Sequence, residues 1–99
     1  MTQRFSAITE ITIVKELKEE YFFALRERLE EKDVDLLEKL KIEKILAADQ
    51  PPINSNIVIR VANHYNLIPR RRAGLRAYFT RDQAQLIKKT IRDAYILSI

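Results

Sequence analysis

The sequence predicts a mainly α-helical fold, a winged helix-turn-helix with a short two-stranded wing and an extra N-terminal amphipathic helix. Three observations lead to this prediction. Apolar residues recur at helical spacing in four segments, two adjacent prolines separate the second segment from the third, and the only glycine lies in a basic stretch before the fourth. The 99 residues are expected to form one domain, with the N-terminal helix in residues 1–33 and the winged helix-turn-helix in residues 34–95.

The first helix is predicted from about Ile11 to Lys32, and Thr9 is suited to cap it. The residues after Thr9 also alternate as a short strand would, so both structures are considered at its start. Apolar residues then recur at spacings of three and four: Ile11, Val14, Leu17, Tyr21, Ala24, Leu25 and Leu29. Because an apolar stripe needs a partner, we expect this helix to pack on the second helix and to form a homodimer interface.

The second helix is predicted between an acidic cap and a pair of prolines. Asp33 or Asp35 is expected to cap it, since a carboxylate accepts hydrogen bonds from the free N–H groups of the first turn. It is expected to end near Asp49, because Pro51 and Pro52 lack backbone donors and disfavour a helix before them.

The third helix is predicted to begin with Ser55 or Asn56 as its cap and to run to about Asn66. Pro69 stops any continuation. Its packing face is expected to consist of four residues: Val58, Val61, Ala62 and Tyr65.

A wing and a last helix follow. The stretch Arg70–Phe79 is predicted to form a tight two-stranded excursion, with Gly74 free to adopt the positive φ of its turn. Thr80 is expected to cap the last helix, Arg81–Tyr95. The apolar residues of this helix are spaced for one face: Ala84, Leu86, Ile87, Ile91 and Ala94.

Runs of adjacent aromatic residues must divide between core and surface. Tyr21, Phe22 and Phe23 cannot share one helical face, so at least one is expected at the surface. Of Tyr78 and Phe79, one is expected to be buried under the wing.

Charge is distributed unevenly along the chain. Residues 60–99 carry nine Lys or Arg and two acids, so their net charge is about +7. Residues 1–59 carry nine basic and twelve acidic side chains, so their net charge is about −3, and the two halves together give the overall charge of +4. A one-sided positive field concentrates polyanions, of which nucleic acid is the commonest for a small domain.

Composition excludes several other classes of protein. Without cysteine there are no disulfides and no cysteine zinc site, and the single histidine, His64, cannot supply a multi-histidine metal site. No nucleophile, acid–base pair or phosphate-cradling glycine loop is recognisable, so we expect neither an enzyme nor a cofactor nor a small-molecule effector. No signal peptide or membrane span is recognisable, which favours a cytoplasmic, nucleoid-associated protein without a membrane partner.

The order of the elements predicts where DNA would bind. In a winged helix-turn-helix one helix enters the major groove and the wing lies along the phosphates. The residues expected to contact double-stranded DNA are Asn56, Arg60, Asn63 and His64 on the third helix, and Arg70, Arg71, Arg72, Arg76 and Tyr78 in the wing.

The same residues resemble a known family. The resemblance covers about residues 37–92 and is carried by Ser55, Ile59, Arg60 and Leu67-Ile68-Pro69, then Gly74-Leu75-Arg76-Ala77-Tyr78, and then Asp82 and Leu86. This pattern is similar to the DNA-binding domain of MerR-type transcriptional regulators. The resemblance implies that Arg60 and Arg76 contact the DNA backbone or groove, and that Tyr78 packs or contacts there. It also implies a transcriptional regulator or repressor, although excisionases, which are architectural recombination factors, share this module.

Two other partners are considered for the basic half. A protein-interaction module could use a winged-helix fold to dock an acidic partner, since fold does not fix function. RNA is the weaker alternative, because no motif of an RNA-binding module is present.

Overall fold

The computed structural model describes residues 8–67 and 76–99, which are mainly α-helical with a small antiparallel two-stranded sheet. The elements in chain order are β1 (Ile8–Thr9), α1 (Glu10–Leu29), α2 (Leu36–Ala48), α3 (Ser55–His64), β2 (Tyr78–Phe79), α4 (Arg81–Ile91) and a π-helix (Arg92–Ile96).

Helix α1 runs through the core. The Thr9 side chain caps it by accepting a hydrogen bond of 3.2 Å from the N–H of Thr12. The buried residues of α1 follow at steps of three and four: Glu10, Ile13, Leu17, Tyr21 and Leu25. The prediction of Ile11 in this stripe is wrong, since Ile11 is 44% exposed and Ile13 takes the inward position. The helix also ends at Leu29, before the predicted Lys32.

The core is formed by α1, α3 and α4, and the π-helix packs on α1 and α4. Helix α2 packs mainly against α1, where Ile42 is buried and Ile45 and Leu46 are partly buried. Helix α3 packs mainly on α1 and α4.

Caps determine where α2 begins and ends. The cap of α2 is Asp35, which was one of the two predicted alternatives. Its side chain accepts a hydrogen bond of 2.8 Å from the N–H of Glu38. Asp33 instead accepts a hydrogen bond from Arg28. At the other end Asp49 adopts a left-handed backbone conformation (φ 54°), which stops the helix after Ala48.

Helix α3 is capped one residue earlier than predicted. The side chain of Asn54, and not that of Ser55 or Asn56, accepts a hydrogen bond of 3.1 Å from the N–H of Ile57. Val58 and Ala62 are fully buried, as predicted. The helix ends at His64, before the predicted Asn66, which has a positive φ of 60°.

The two strands join distant parts of the chain. Strand β2 pairs antiparallel with β1, with Ile8 opposite Phe79 and Thr9 opposite Tyr78. The hairpin predicted within Arg70–Phe79 ends with β2, whose partner within the described residues is β1. The first part of that predicted hairpin, with Gly74, lies outside the described residues.

The last helix begins as predicted and ends differently. Thr80 and Gln83 form a capping box. The N–H of Thr80 donates to the side chain of Gln83 at 2.9 Å, and the N–H of Gln83 donates to the side chain of Thr80 at 3.2 Å. The α-helix stops at Ile91, and the π-helix replaces the predicted continuation to Tyr95. Ala84, Ile87 and Ile91 are buried, whereas Leu86 and Ala94, predicted on the same face, are exposed.

Candidate nucleic-acid interface

The outward face of α3 is polar. Asn56, Arg60, Asn63 and His64 are all exposed, on the side opposite the buried Val58 and Ala62. Among the residues that the structure describes, Arg60 forms no ion pair. The face therefore offers a cation, two amides and an imidazole to one partner.

The end of α3 is braced against α4. The hydroxyl groups of Tyr65 and Thr90 lie 2.9 Å apart, and the Thr90 hydroxyl also donates to the carbonyl of Leu86 at 3.0 Å. Tyr65 is predicted to pack inward, but its side chain is 37% exposed, because its hydroxyl reaches Thr90 at the edge of the core. The His64 ring meets the Tyr65 ring edge-on at 5.1 Å.

Alternate residues of the β2 segment point outward. Arg76 and Tyr78 are exposed, whereas Ala77 and Phe79 are buried. The prediction that one of Tyr78 and Phe79 is buried is thus confirmed. Arg70, Arg71 and Arg72, the remaining predicted contacts, lie outside the described residues.

A buried carboxylate anchors this segment and was missed by sequence reasoning. Glu10 accepts a hydrogen bond of 2.9 Å from the N–H of Ala77. It is the one charged side chain that is buried in residues 8–67 and 76–99. Its place directly after the Thr9 cap gave a hint, because acidic residues favour the first turn of a helix.

Part of the basic half is neutralised within the fold. Lys88 donates to Glu16 at 2.6 Å, and Arg92 donates to both carboxylate oxygens of Glu20 at 2.6 and 2.9 Å. The Arg92 guanidinium lowers the pKa of Glu20, and Glu20 in turn raises the pKa of Arg92. The charge of about +7 in residues 60–99 is therefore not all available to an external partner.

Three exposed cations of the basic half form no ion pair within the described residues: Arg60, Arg76 and Arg81. Lys89 of α4 pairs with Asp93 of the following π-helix at 3.0 Å. The positive charge available to a partner is thus concentrated on α3 and around β2, away from the ion pairs between α1 and α4.

An apolar groove of about 310 Å³ lies beside the polar face of α3. Its lining residues are Ile57, Val61, Ile91, Ala94, Tyr95, Thr90, Arg60 and His64. Two of the predicted DNA-contact residues therefore also border an apolar depression.

In the described part of the chain, no group of three or more His, Asp or Glu residues could hold a metal ion. None of the helices there is both long and apolar enough to cross a membrane.

Comparison with protein-family models finds no match, and neither does comparison with curated proteins or with solved structures. The resemblance to MerR-type regulators thus stays a prediction from the residues that carry it.

Proposed function

We propose that the chain binds double-stranded DNA by inserting the polar face of α3 into the major groove. The observation that carries the proposal is the common exposure of Asn56, Arg60, Asn63 and His64 on one side of this helix. Asn and Arg can make paired hydrogen bonds to base edges, so such a face can read sequence. Behind this face, α3 packs against α1 and α4.

Phosphate contacts are assigned to the segment that follows α3. Arg76 is exposed next to the anchored Ala77, and the sequence adds Arg70, Arg71 and Arg72 just before it. If about five phosphates are neutralised, log affinity should fall with log salt at a slope of about −4 to −5.

In this proposal the protein regulates transcription, as a repressor or regulator of MerR-like type, by occupying its site. An excisionase-like role in recombination, in which the protein bends its site, uses the same contacts. A measurement of how far the protein bends its selected site would distinguish the two.

The first test is selection from a random duplex library at about 150 mM salt, followed by a salt titration of the selected and the starting pools. Arg60→Ala is expected to weaken binding, whereas Arg26→Ala, an exposed arginine on α1, is the matched control and should leave it unchanged. Failure of both pools to bind at low salt would reject the proposal.

The division between reading bases and holding phosphates is tested separately. Arg76→Ala should weaken binding to both pools by similar factors, whereas Asn63→Ala should reduce the preference for the selected pool. Equal effects of the two variants on every sequence would refute this division.

A second candidate function is favoured by the groove beside α3. An acidic amphipathic segment of a partner protein could lay apolar side chains between Ile57 and Ala94 and pair its carboxylates with Arg60. Amide NMR discriminates the two functions: duplex DNA should shift Asn56 and Asn63, whereas an acidic helical peptide should shift Ala94 and Tyr95.

A further inference from the structure

Helix α2 is apolar on two opposite sides. Its inner side packs on α1 through Ile42 and its neighbours. Its outer side carries Leu36, Leu37 and Leu40, which are 69%, 79% and 51% exposed. Single exposed leucines are common, but three within five residues of a short helix form a contiguous apolar patch of the kind that marks an interface.

The patch continues across a cleft to the end of the described chain. Leu37 lines one wall of an open cleft of about 580 Å³, and Tyr95 and Ile99 lie on the other wall. Leu97 and Ile99 at this end are exposed as well. The three leucines together with Leu97 and Ile99 are called the α2 patch below.

Among the described elements, α1 is the main packing partner of helix α2. The helix is held on one side by its contact with α1 and by Arg28, which pairs with Glu38 at 2.9 Å. A helix with an apolar outer side gains stability if that side is covered as well.

We propose that a second copy of this chain covers the α2 patch in a two-fold symmetric homodimer. A two-fold interface uses the same surface on both copies, so that surface must offer both a projection and a recess. The α2 patch does so, because Leu36 and Leu40 project beside the cleft that Leu37 and Ile99 line.

Charge favours a second copy at this surface over other surfaces of the chain. The residues from Asp35 to Ala48 contain three acids (Asp35, Glu38 and Glu43) and three lysines (Lys39, Lys41 and Lys44), so their net charge is zero. Two such helices meet without net repulsion, whereas two α3 faces would bring Arg60 and its neighbours together.

This interface replaces the one predicted on α1. Three residues of the stripe that suggested self-association through α1 are buried in the core of the same chain: Leu17, Tyr21 and Leu25. The proposal does not depend on DNA binding, because the α2 patch shares no residue with the polar face of α3.

Sedimentation velocity of the full chain from micromolar to near-millimolar concentration tests the proposal. The unaltered chain should sediment as a dimer in the upper part of this range. The double variant Leu37→Glu with Leu40→Glu should remain a monomer throughout, whereas Phe23→Glu, an equally exposed apolar position on α1, should behave like the unaltered chain. A monomeric unaltered chain, a dimeric double variant or a monomeric Phe23→Glu variant would overturn the proposal.

A cross-linking experiment avoids charged substitutions that could alter the fold. The chain contains no cysteine, so Leu40→Cys introduces a single thiol at the proposed interface. Mild oxidation should convert this variant to a covalent dimer at least tenfold faster than the control variant Phe23→Cys. Equal rates for the two variants would contradict a two-fold contact at α2.

Discussion

The backbone N–H of Ala77 donates a hydrogen bond of 2.9 Å to the carboxylate of Glu10, and both residues are buried. This bond joins the first turn of α1 to the segment that carries Arg76 and Tyr78. The pairing of β1 with β2 lies directly beside it. Glu10 therefore fixes the position from which two of the proposed DNA contacts project.

Replacing Glu10 tests this anchor. Glu10→Ala leaves the N–H of Ala77 buried without an acceptor, which should reduce the free energy of unfolding by about 1–3 kcal/mol. Glu10→Gln keeps an acceptor oxygen and should lose less. Urea denaturation measures both, and equal losses would mean that the carboxylate charge, and not the hydrogen bond, stabilises the contact.

The cap of α3 gives a second prediction. Asn54→Ala removes the side-chain acceptor for the N–H of Ile57 and should cost about 1 kcal/mol. Ser55→Ala, the neighbouring control, should change stability by less than about 0.5 kcal/mol, because its side chain does not cap the helix. The reverse order in thermal or urea denaturation would assign the cap to Ser55.

The two sides of α4 should differ in their tolerance of truncation. Ile87→Ala removes a fully buried side chain and should cost about 2–5 kcal/mol, because it leaves a cavity in the core. Leu86→Ala, at an exposed neighbouring position, should cost far less. Similar losses for the two variants would show that the described face of α4 is not the packed one.

Stability should depend on the Glu20–Arg92 pair below neutral pH. Arg92 lowers the pKa of Glu20 below its ordinary value of 4.5, so the pair stabilises the fold above that pH. The contribution is lost as the pH falls through the lowered pKa. Because both side chains are partly exposed to solvent, the effect at neutral pH should be only about 0.5 kcal/mol.

Glu20→Gln tests this pair, and Glu19→Gln on the exposed side of α1 is its control. The free energy of unfolding is measured against pH from neutral to strongly acidic conditions. Glu20→Gln should lower stability near neutral pH and flatten its acid dependence. A control variant that changes the profile equally would attribute the effect to overall charge.

Arg28 should control how firmly α2 is held. It pairs with Glu38, Asp33 and Glu31 and so joins the end of α1 to the start of α2. Arg28→Ala should accelerate amide hydrogen exchange in α2 while leaving the exchange of α3 and α4 unchanged. Uniform acceleration throughout the chain would instead indicate loss of global stability.

The existence of four helices could be predicted from the sequence, because each has a set of apolar residues at helical spacing. Residue type alone predicts Thr80 as the cap of α4, and Asp35 as one of two alternatives for the cap of α2. The exposed face of α3 also followed from periodicity, since its polar residues alternate with Val58 and Ala62.

Long-range contacts could not be predicted in the same way. Strand β1 has two residues, too few for an alternating pattern, and its partner lies beyond α3. The ion pairs of Lys88 and Arg92 depend on how α4 and the π-helix pack against α1. The spacing of residues along the chain does not reveal this packing. Local periodicity likewise did not indicate that Leu36, Leu37 and Leu40 lie on the outer side of α2.

The Glu10–Ala77 bond also has a kinetic consequence. It joins residues 67 positions apart, so it requires the closure of a long loop, whereas each helix forms from local contacts. We expect the sheet and this bond to form late during folding and to open first in the folded state. The positioning of Arg76 and Tyr78 thus depends on a long-range contact that we expect to form late.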